Sequence, residues 1–283
     1  MSTSEQSIQV GSLQWFYREA KPVTEQSNQP PVLLLHGIPS QSYCWTALMP
    51  DLAEQGLRAI APDWIGSGFS AKPNQQNFAY TPDAFIEALA DLLKNLEIER
   101  FYLVLQGFLG SVGLQYALRH SDQIERLVIL NAPLSSTAKL PWKMQQLGLP
   151  FIGDMLTQDP LLIDRTLEGG SGYRIADNDL DVYRRPFLKS SDVGRSLLAT
   201  IKNLQMKQSM AEIESGFSNW QQPTLIIWGI QDPWLPFAQA QQFANVVSSC
   251  ELVKLEEARH YPQDHWSGKI SEALVPFLRR QNL

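Results

Sequence analysis

Leu103-Val104-Leu105-Gln106-Gly107-Phe108-Leu109-Gly110-Ser111-Val112-Gly113 is the stretch that decides how the rest of this chain is read. Its first residues close an apolar run, Phe101–Leu105, which is too short for a helix and suits a strand covered on both faces. A tight turn follows, and helical spacing resumes near Gly110. Strand, turn and helix in so few residues place Gly107 at the tip of the turn. Glycine at such a tip can take positive φ freely, whereas a residue with a Cβ would be strained there by roughly 1–3 kcal/mol. Gly107 therefore suits the turn, and it brings no side chain that can attack anything. Gln106 beside it offers an amide for a substrate hydrogen bond, whereas Ser111 lies within the first helical turn, off the tip.

Further runs share the strand character. Val32–Leu35, Leu127–Leu130 and Thr224–Trp228 are short and apolar, and Glu251–Leu255 is more polar, as near a sheet edge. A strand near Leu57–Ala61 leads into a glycine-punctuated loop. Helical spacing lies between them at Trp45–Gln55, Thr81–Leu96, Gly113–Arg119, Phe237–Val247 and Ser271–Arg280. Thr81-Pro82-Asp83 opens its helix with a cap, a proline at the first position and an early acid. This alternation predicts an α/β fold with a mostly parallel sheet and helices on both faces. The rhythm breaks between Pro133 and Gln222, where Trp142, Met144, Phe151, Met155, Leu161 and Leu162 sit among glycines and prolines. Residues 1–132 and 223–283 read as the core and 133–222 as an inserted helical cap. Such an insertion is either a cover over an apolar pocket or a plain second helical layer.

The residues that can do chemistry stand just past these strands. His36-Gly37-Ile38-Pro39-Ser40 follows the first apolar run, where a turn aims backbone N–H groups into a cleft at the carboxyl ends of the strands. Asp232 follows the strand ending at Trp228, and His260 sits in a loop before the final helix. An aspartate that orients an imidazole makes the imidazole a general base. Taken singly, Asp232 reads as a turn cap and His260 as a loop histidine. His260 and His265 are five apart, on different sides of a helical turn, and no cysteine or carboxylate cluster completes a set, so no metal site is expected. His120 ends a helix, where a cation suits the C-terminal dipole, and Cys44 reads as a packing residue.

Together these motifs resemble the α/β-hydrolase family, in particular the branch of haloalkane dehalogenases and epoxide hydrolases. His36–Ser40 is similar to that branch's oxyanion loop, and Ala61–Pro73 to its Asp-x-x-Gly-x-Gly-x-Ser loop; the likeness runs from about Trp15 to Phe277. The resemblance implies an α/β-hydrolase core with a helical cap, His260 as general base, Asp232 as its orienting acid, and the backbone N–H groups of Ile38 and Phe108 as an oxyanion hole or halide cradle. This chain also departs from the pattern. Gly107 stands at the position of the Asp or Ser nucleophile, and Leu109 replaces a small residue two places later. Phe108 stands where a Trp usually helps to hold a leaving halide, and Ile38 where dehalogenases often have Asn, so dehalogenation is disfavoured twice. Glycine leaves room at the tip for a water or a substrate group beside His260. Cofactor-free lyases and oxygenases of the same fold use a histidine in this way, to abstract a substrate proton.

Composition narrows the partners. A net charge of −6 without a Lys/Arg cluster argues against nucleic-acid binding, and the adjacent pairs Arg184-Arg185 and Arg279-Arg280 read as solvated. Two cysteines set no disulfide framework and fit a reducing compartment. The N-terminal residues lack the basic and apolar regions of a signal peptide, and no apolar run approaches the ~18 residues of a membrane span. The expectation is a cytoplasmic protein with no cofactor, acting on a small apolar molecule. Three readings stay open: a His260–Asp232 enzyme that activates water or removes a substrate proton, a non-catalytic small-molecule-binding protein, and a scaffold for a protein partner. An apolar pocket around an intact dyad supports the first two, and a collapsed pocket with an exposed apolar patch supports the third.

Overall fold

The computed structural model describes residues 3–22, 29–149, 152–157, 159 and 161–280; Phe151 lies outside them. The chain opens with an antiparallel hairpin, β1 (Ser4–Val10) and β2 (Leu13–Ala20). Sequence reading passed over both strands because they are not apolar runs; most of β1 remains solvent-accessible, with only Val10 buried. β3 (Val32–Leu35) follows, entirely buried. The single helix expected over Trp45–Gln55 is instead a 3-10 turn, Ser42–Trp45, and then α1 (Met49–Glu54). Pro50 accounts for the break: without an N–H it is tolerated in a first helical turn but not in a helix interior.

β4 (Ala59–Pro62) leads through the glycine-rich loop to α2 (Pro82–Asn95), where Thr81 Oγ1 accepts from the Ala84 N–H at 3.3 Å, as its capping sequence predicts. β5 (Phe101–Gln106) enters α3 (Gly110–Arg119), which begins where helical spacing resumes after the turn, ahead of the Gly113–Arg119 run. After β6 (Ile124–Leu130) the chain passes through α4 (Trp142–Leu147), α5 (Ile152–Leu156), α6 (Leu162–Ser171), α7 (Asp177–Lys189), α8 (Asp192–Asn203) and α9 (Met206–Gly216) before it rejoins the sheet at β7 (Thr224–Gly229). α10 (Phe237–Val246), β8 (Cys250–Leu255), the short α11 (Pro262–His265) and α12 (Ser267–Arg279) complete the chain.

Among the described residues eight strands form one sheet in the order β1-β2-β4-β3-β5-β6-β7-β8. β2 is antiparallel to both its neighbours, and every other pair is parallel. Alternation along the central strands makes two cores. Leu33, Leu35, Leu103, Leu105, Leu127 and Ile129 face α2 and α3, whereas Val32, Leu34, Val104, Val128 and Leu130 face α1 and α12. Arg184 corrects the expectation of a solvated basic pair. Its guanidinium forks onto Asp164 of α6 at 2.8 and 2.6 Å and also reaches Asp181 at 2.9 Å, tying α7 to α6. Arg280 pairs with Glu251 at the far edge of the sheet.

Candidate active site

The chain lays β4 on one side of β3 and β5 on the other, and this reversal brings two loops together at the carboxyl ends of the strands. β3 and β5 run in register, Leu33 beside Leu103 and Leu35 beside Leu105, so Gly37 and Gly107 are neighbours. A Cβ on Gly37 would lie 2.9 Å from the Gly107 Cα, and one on Gly107 would lie 3.0 Å from the Gly37 Cα. The two backbones approach this closely because neither residue has a side chain. Gly107 has φ of +71°, the left-handed value expected at a turn tip. A Cβ there would point at His260, 3.6 Å from Nε2. The backbone N–H groups of Ile38 and Phe108 flank this point, and neither donates to any described residue.

His260 arrives from the other half of the sheet. Gly229 ends β7 against the loop that carries His260, so tightly that an added Cβ would overlap the Arg259 carbonyl. The Ile230 and Gln231 N–H groups then bond to the Leu255 and Ala258 carbonyls at 3.2 and 3.1 Å. This clamp sets Asp232 Oδ2 2.8 Å from His260 Nδ1. Asn131, just past β6, donates to the same Oδ2 at 2.8 Å, while the N–H groups of Trp234 and Leu235 donate to Oδ1 at 2.8 and 3.1 Å. Burial by itself pushes the Asp232 carboxyl up. The His260 imidazole, its hydrogen bond, and the Trp234 and Asn131 donors together outweigh burial and hold it below its ordinary value.

Aromatic rings close over the imidazole. Phe108 stacks on it with centroids 5.3 Å apart, Trp234 lies at 4.6 Å, and Tyr261 meets it edge-on at 4.8 Å. Tyr261 also donates its hydroxyl to the Ile38 carbonyl at 3.1 Å. From α6, the Gly170 carbonyl accepts from the His260 N–H at 3.0 Å. His260 is fully buried, and Nε2 has no partner among the described residues. A small hollow of about 10 Å³ lies between Ile38, Pro39 and the insertion, and a cleft of about 750 Å³ opens between the insertion and Pro233-Trp234.

A family model for the alpha/beta hydrolase fold matches residues 30–265, a span that holds both glycine-lined loops, Asp232 and His260. The chain belongs to the α/β-hydrolase family. It is 26% identical over 273 residues to a cis-3-alkyl-4-alkyloxetan-2-one decarboxylase of Xanthomonas campestris, covering 89% of each protein. It is 27% identical over 255 residues to haloalkane dehalogenase 1 of Mycobacterium tuberculosis, covering 87% of this chain and 83% of that one. A crystal structure of a haloalkane dehalogenase from Bradyrhizobium elkani superposes with a TM-score of 0.86 at 22% identity, covering 98% of both chains. That structural likeness speaks for the fold.

Within this α/β-hydrolase the sequence motifs divide by what they touch. Asp63 of the glycine-rich loop accepts from the Ser42 and Phe69 N–H groups, both at 2.7 Å, and His36 Nε2 accepts from the Trp64 N–H at 3.1 Å. These bonds pin the loops behind Ile38 and contact neither Asp232 nor His260. Gln106 turns inward: its amide donates to the His260 carbonyl at 2.7 Å, so it supports the histidine's own backbone. Ser111 Oγ bonds back to the Phe108 carbonyl at 2.9 Å. His265 stacks on Tyr173, centroids 4.0 Å apart. Among the described residues no group of three or more metal-ligating side chains comes together, and no helix is long and apolar enough to cross a membrane.

Asn131, Trp234 and Gly170 escaped sequence reading. Asn131 carried a signal, being a polar residue directly after an apolar strand, and its positive φ of 39° fits that position at the strand end. Trp234 and Gly170 carried none, because their contacts span distant segments. Cys44 is buried in the core, as a packing residue should be.

Asp264, in α11, gives this family member a measurable pH signature. Burial pushes its carboxyl up to about 7, nearby Asp179 adds to the rise, and the 3.2 Å bond from the Tyr183 hydroxyl opposes it. A carboxyl whose folded pKa exceeds its unfolded one stabilises the fold when protonated, and that contribution is lost as pH rises. Stability should therefore fall across the interval from its ordinary 3.8 to about 7. Asp264→Asn should flatten that decline in thermal melts at constant ionic strength; parallel melting curves for the two proteins would contradict the assignment.

Proposed function

We propose that this α/β-hydrolase acts on a small, mainly apolar molecule with His260 as general base, oriented by Asp232 and working without a covalent nucleophile. The observation that carries the reading is His260 Nε2, buried, unpartnered and facing the Gly107 tip. Asp232 accepts at Nδ1, which leaves Nε2 as the proton acceptor. Nε2 then takes a proton from water or from the substrate, and the imidazolium that forms is stabilised by the Asp232 carboxylate. The free N–H groups of Ile38 and Phe108 would donate to the oxyanion that develops as the proton leaves. Both are backbone groups, so glycine at 107, where the related branch carries its nucleophile, leaves them in place. The role of the helical insertion in this reading is a cap: α6 lends the Gly170 carbonyl, and the insertion walls the cleft.

A second reading, binding without chemistry, draws on the tight closure of Phe108 and Trp234 over the fully buried imidazole. The scaffold reading calls for a collapsed pocket with an exposed apolar patch, and two observations divide over it: the hollow beside Ile38 is only about 10 Å³, whereas a cleft of about 750 Å³ stands open beyond Trp234.

Turnover separates the first two. Wild type and His260→Ala should be compared on esters, epoxides, haloalkanes, cyanohydrins and alkyl-substituted four-membered lactones, the last because one relative is an alkyloxetanone decarboxylase. We expect wild-type activity on at least one class and a loss of about 10²-fold or more in the variant. Equal traces in both proteins would leave the binding reading.

A further inference from the structure

The cleft beside the site has a lining divided by chemistry. Leu140, Pro141, Met144, Leu147, Leu162 and Trp234 make an apolar floor. That floor ends on the Trp234 indole, which also packs against His260. The cations on the lining are Lys139, Lys143 and Arg165, and Asp159 is the one carboxylate among the described lining residues. Arg165 is neutralised by Asp159, with Nη1 and Oδ2 2.8 Å apart. Lys139 and Lys143 are exposed and make no hydrogen bond or ion pair with any described residue. A chain of net charge −6 thus places two ammonium groups that pair with no described residue beside an apolar cleft of about 750 Å³.

That combination discriminates between ligands. A neutral chain gains only from burial on the floor, and a cationic chain is repelled at the mouth. An anionic chain gains from both, and the excess of positive charge on the lining also raises its rate of capture. Apolar surface with a few placed polar groups is the usual makeup of a small-molecule site, and a cleft of this volume falls in the usual range.

We infer that the cleft binds an amphiphilic carboxylate, its alkyl chain along the Met144–Leu162 floor and its carboxylate between Lys139 and Lys143. As a statement of what reaches His260 this rests on the proposed function, but as a statement of binding it does not.

Calorimetric titration with decanoate, decanol and decylamine, each below its aggregation threshold, tests it. Decanoate should bind at least tenfold more tightly than decanol, and decylamine more weakly than either. Because both lysines are exposed, the preference should shrink as salt is raised. The double variant Lys139→Glu/Lys143→Glu should lose the preference while keeping the wild-type affinity for decanol, which also shows that the floor is still folded. Equal affinities for decanoate and decanol, a preference that survives charge reversal, or no binding of any of the three would overturn the inference. A decanoate preference without His260-dependent turnover would sink the general-base reading and leave the cleft assignment standing.

Discussion

Asp232→Ala should lower the free energy of unfolding by about 3–5 kcal/mol, because it strips a charged acceptor from a set of buried donors. Four donors converge on this carboxylate: His260 Nδ1, the Asn131 amide, and the N–H groups of Trp234 and Leu235. Alanine would strand them in the interior, where each unmade bond costs about 1–3 kcal/mol before the structure relaxes. Asp232→Asn keeps the shape and should cost less, although its NH₂ must then face two of the four donors. The sign with pH follows from the carboxyl's depressed pKa. Its contribution is present above the ordinary value of 3.8 and is lost as pH falls through the folded value. The gap between wild type and Asp232→Ala in urea unfolding should therefore be widest at neutral pH and narrow in acid. A gap under about 1 kcal/mol at neutral pH would mean that the network holds the fold far less than its geometry implies.

Gly107 should respond in two separable ways. Gly107→Ala forces a Cβ into positive φ and to 3.0 Å from the Gly37 Cα, and should cost about 1–3 kcal/mol while adding no chemistry. Gly107→Asp should suffer a similar loss and also bring a carboxylate within reach of His260 Nε2. On the proposed reading, that carboxylate can open an epoxide or displace a halide to form an ester to the protein, which water activated by His260 then hydrolyses. Because His260 would also clear the ester, both variants are made in a His260→Gln background, where intact-mass spectrometry with a small epoxide should detect the ester on Gly107→Asp and not on Gly107→Ala. An adduct on neither variant, with both folded, would show that the remaining groups are not aligned for covalent hydrolysis. An adduct on both would place the reactive residue elsewhere in the chain.

Much of the core was legible because its signals are local. Val32–Leu35, Phe101–Leu105 and Thr224–Trp228 are buried on both faces, and runs of that kind betray themselves by composition alone. Thr81-Pro82-Asp83 marked the start of α2 to the residue, since a cap acts through neighbours in sequence. β1 was missed because an edge strand with an accessible face lacks an apolar run, and β2 because Arg18 and Glu19, both buried, interrupt its apolar pattern. The expected helix at Trp45–Gln55 failed on Pro50, a stop signal that an apolar pattern alone does not register. In the site, Gly107 and its turn were legible from local backbone chemistry. The inward turn of Gln106 and the bonding of Arg184 onto Asp164 were not, because each is decided by a partner far along the chain.

The sequence by itself determined the α/β alternation, the glycine at the turn tip, and the presence of an acid and an imidazole past two strand ends. These are properties of short segments, set by burial pattern and backbone sterics. Only the tertiary structure decided that Gly37 and Gly107 touch and that Asp232 meets His260. It alone decided, too, that Phe108 and Trp234 close over the imidazole and that Lys139 and Lys143 overlook an apolar cleft. Each of those contacts joins loops whose separation in sequence carries no record of their distance in space. Strand order and register, not local propensity, bring them together.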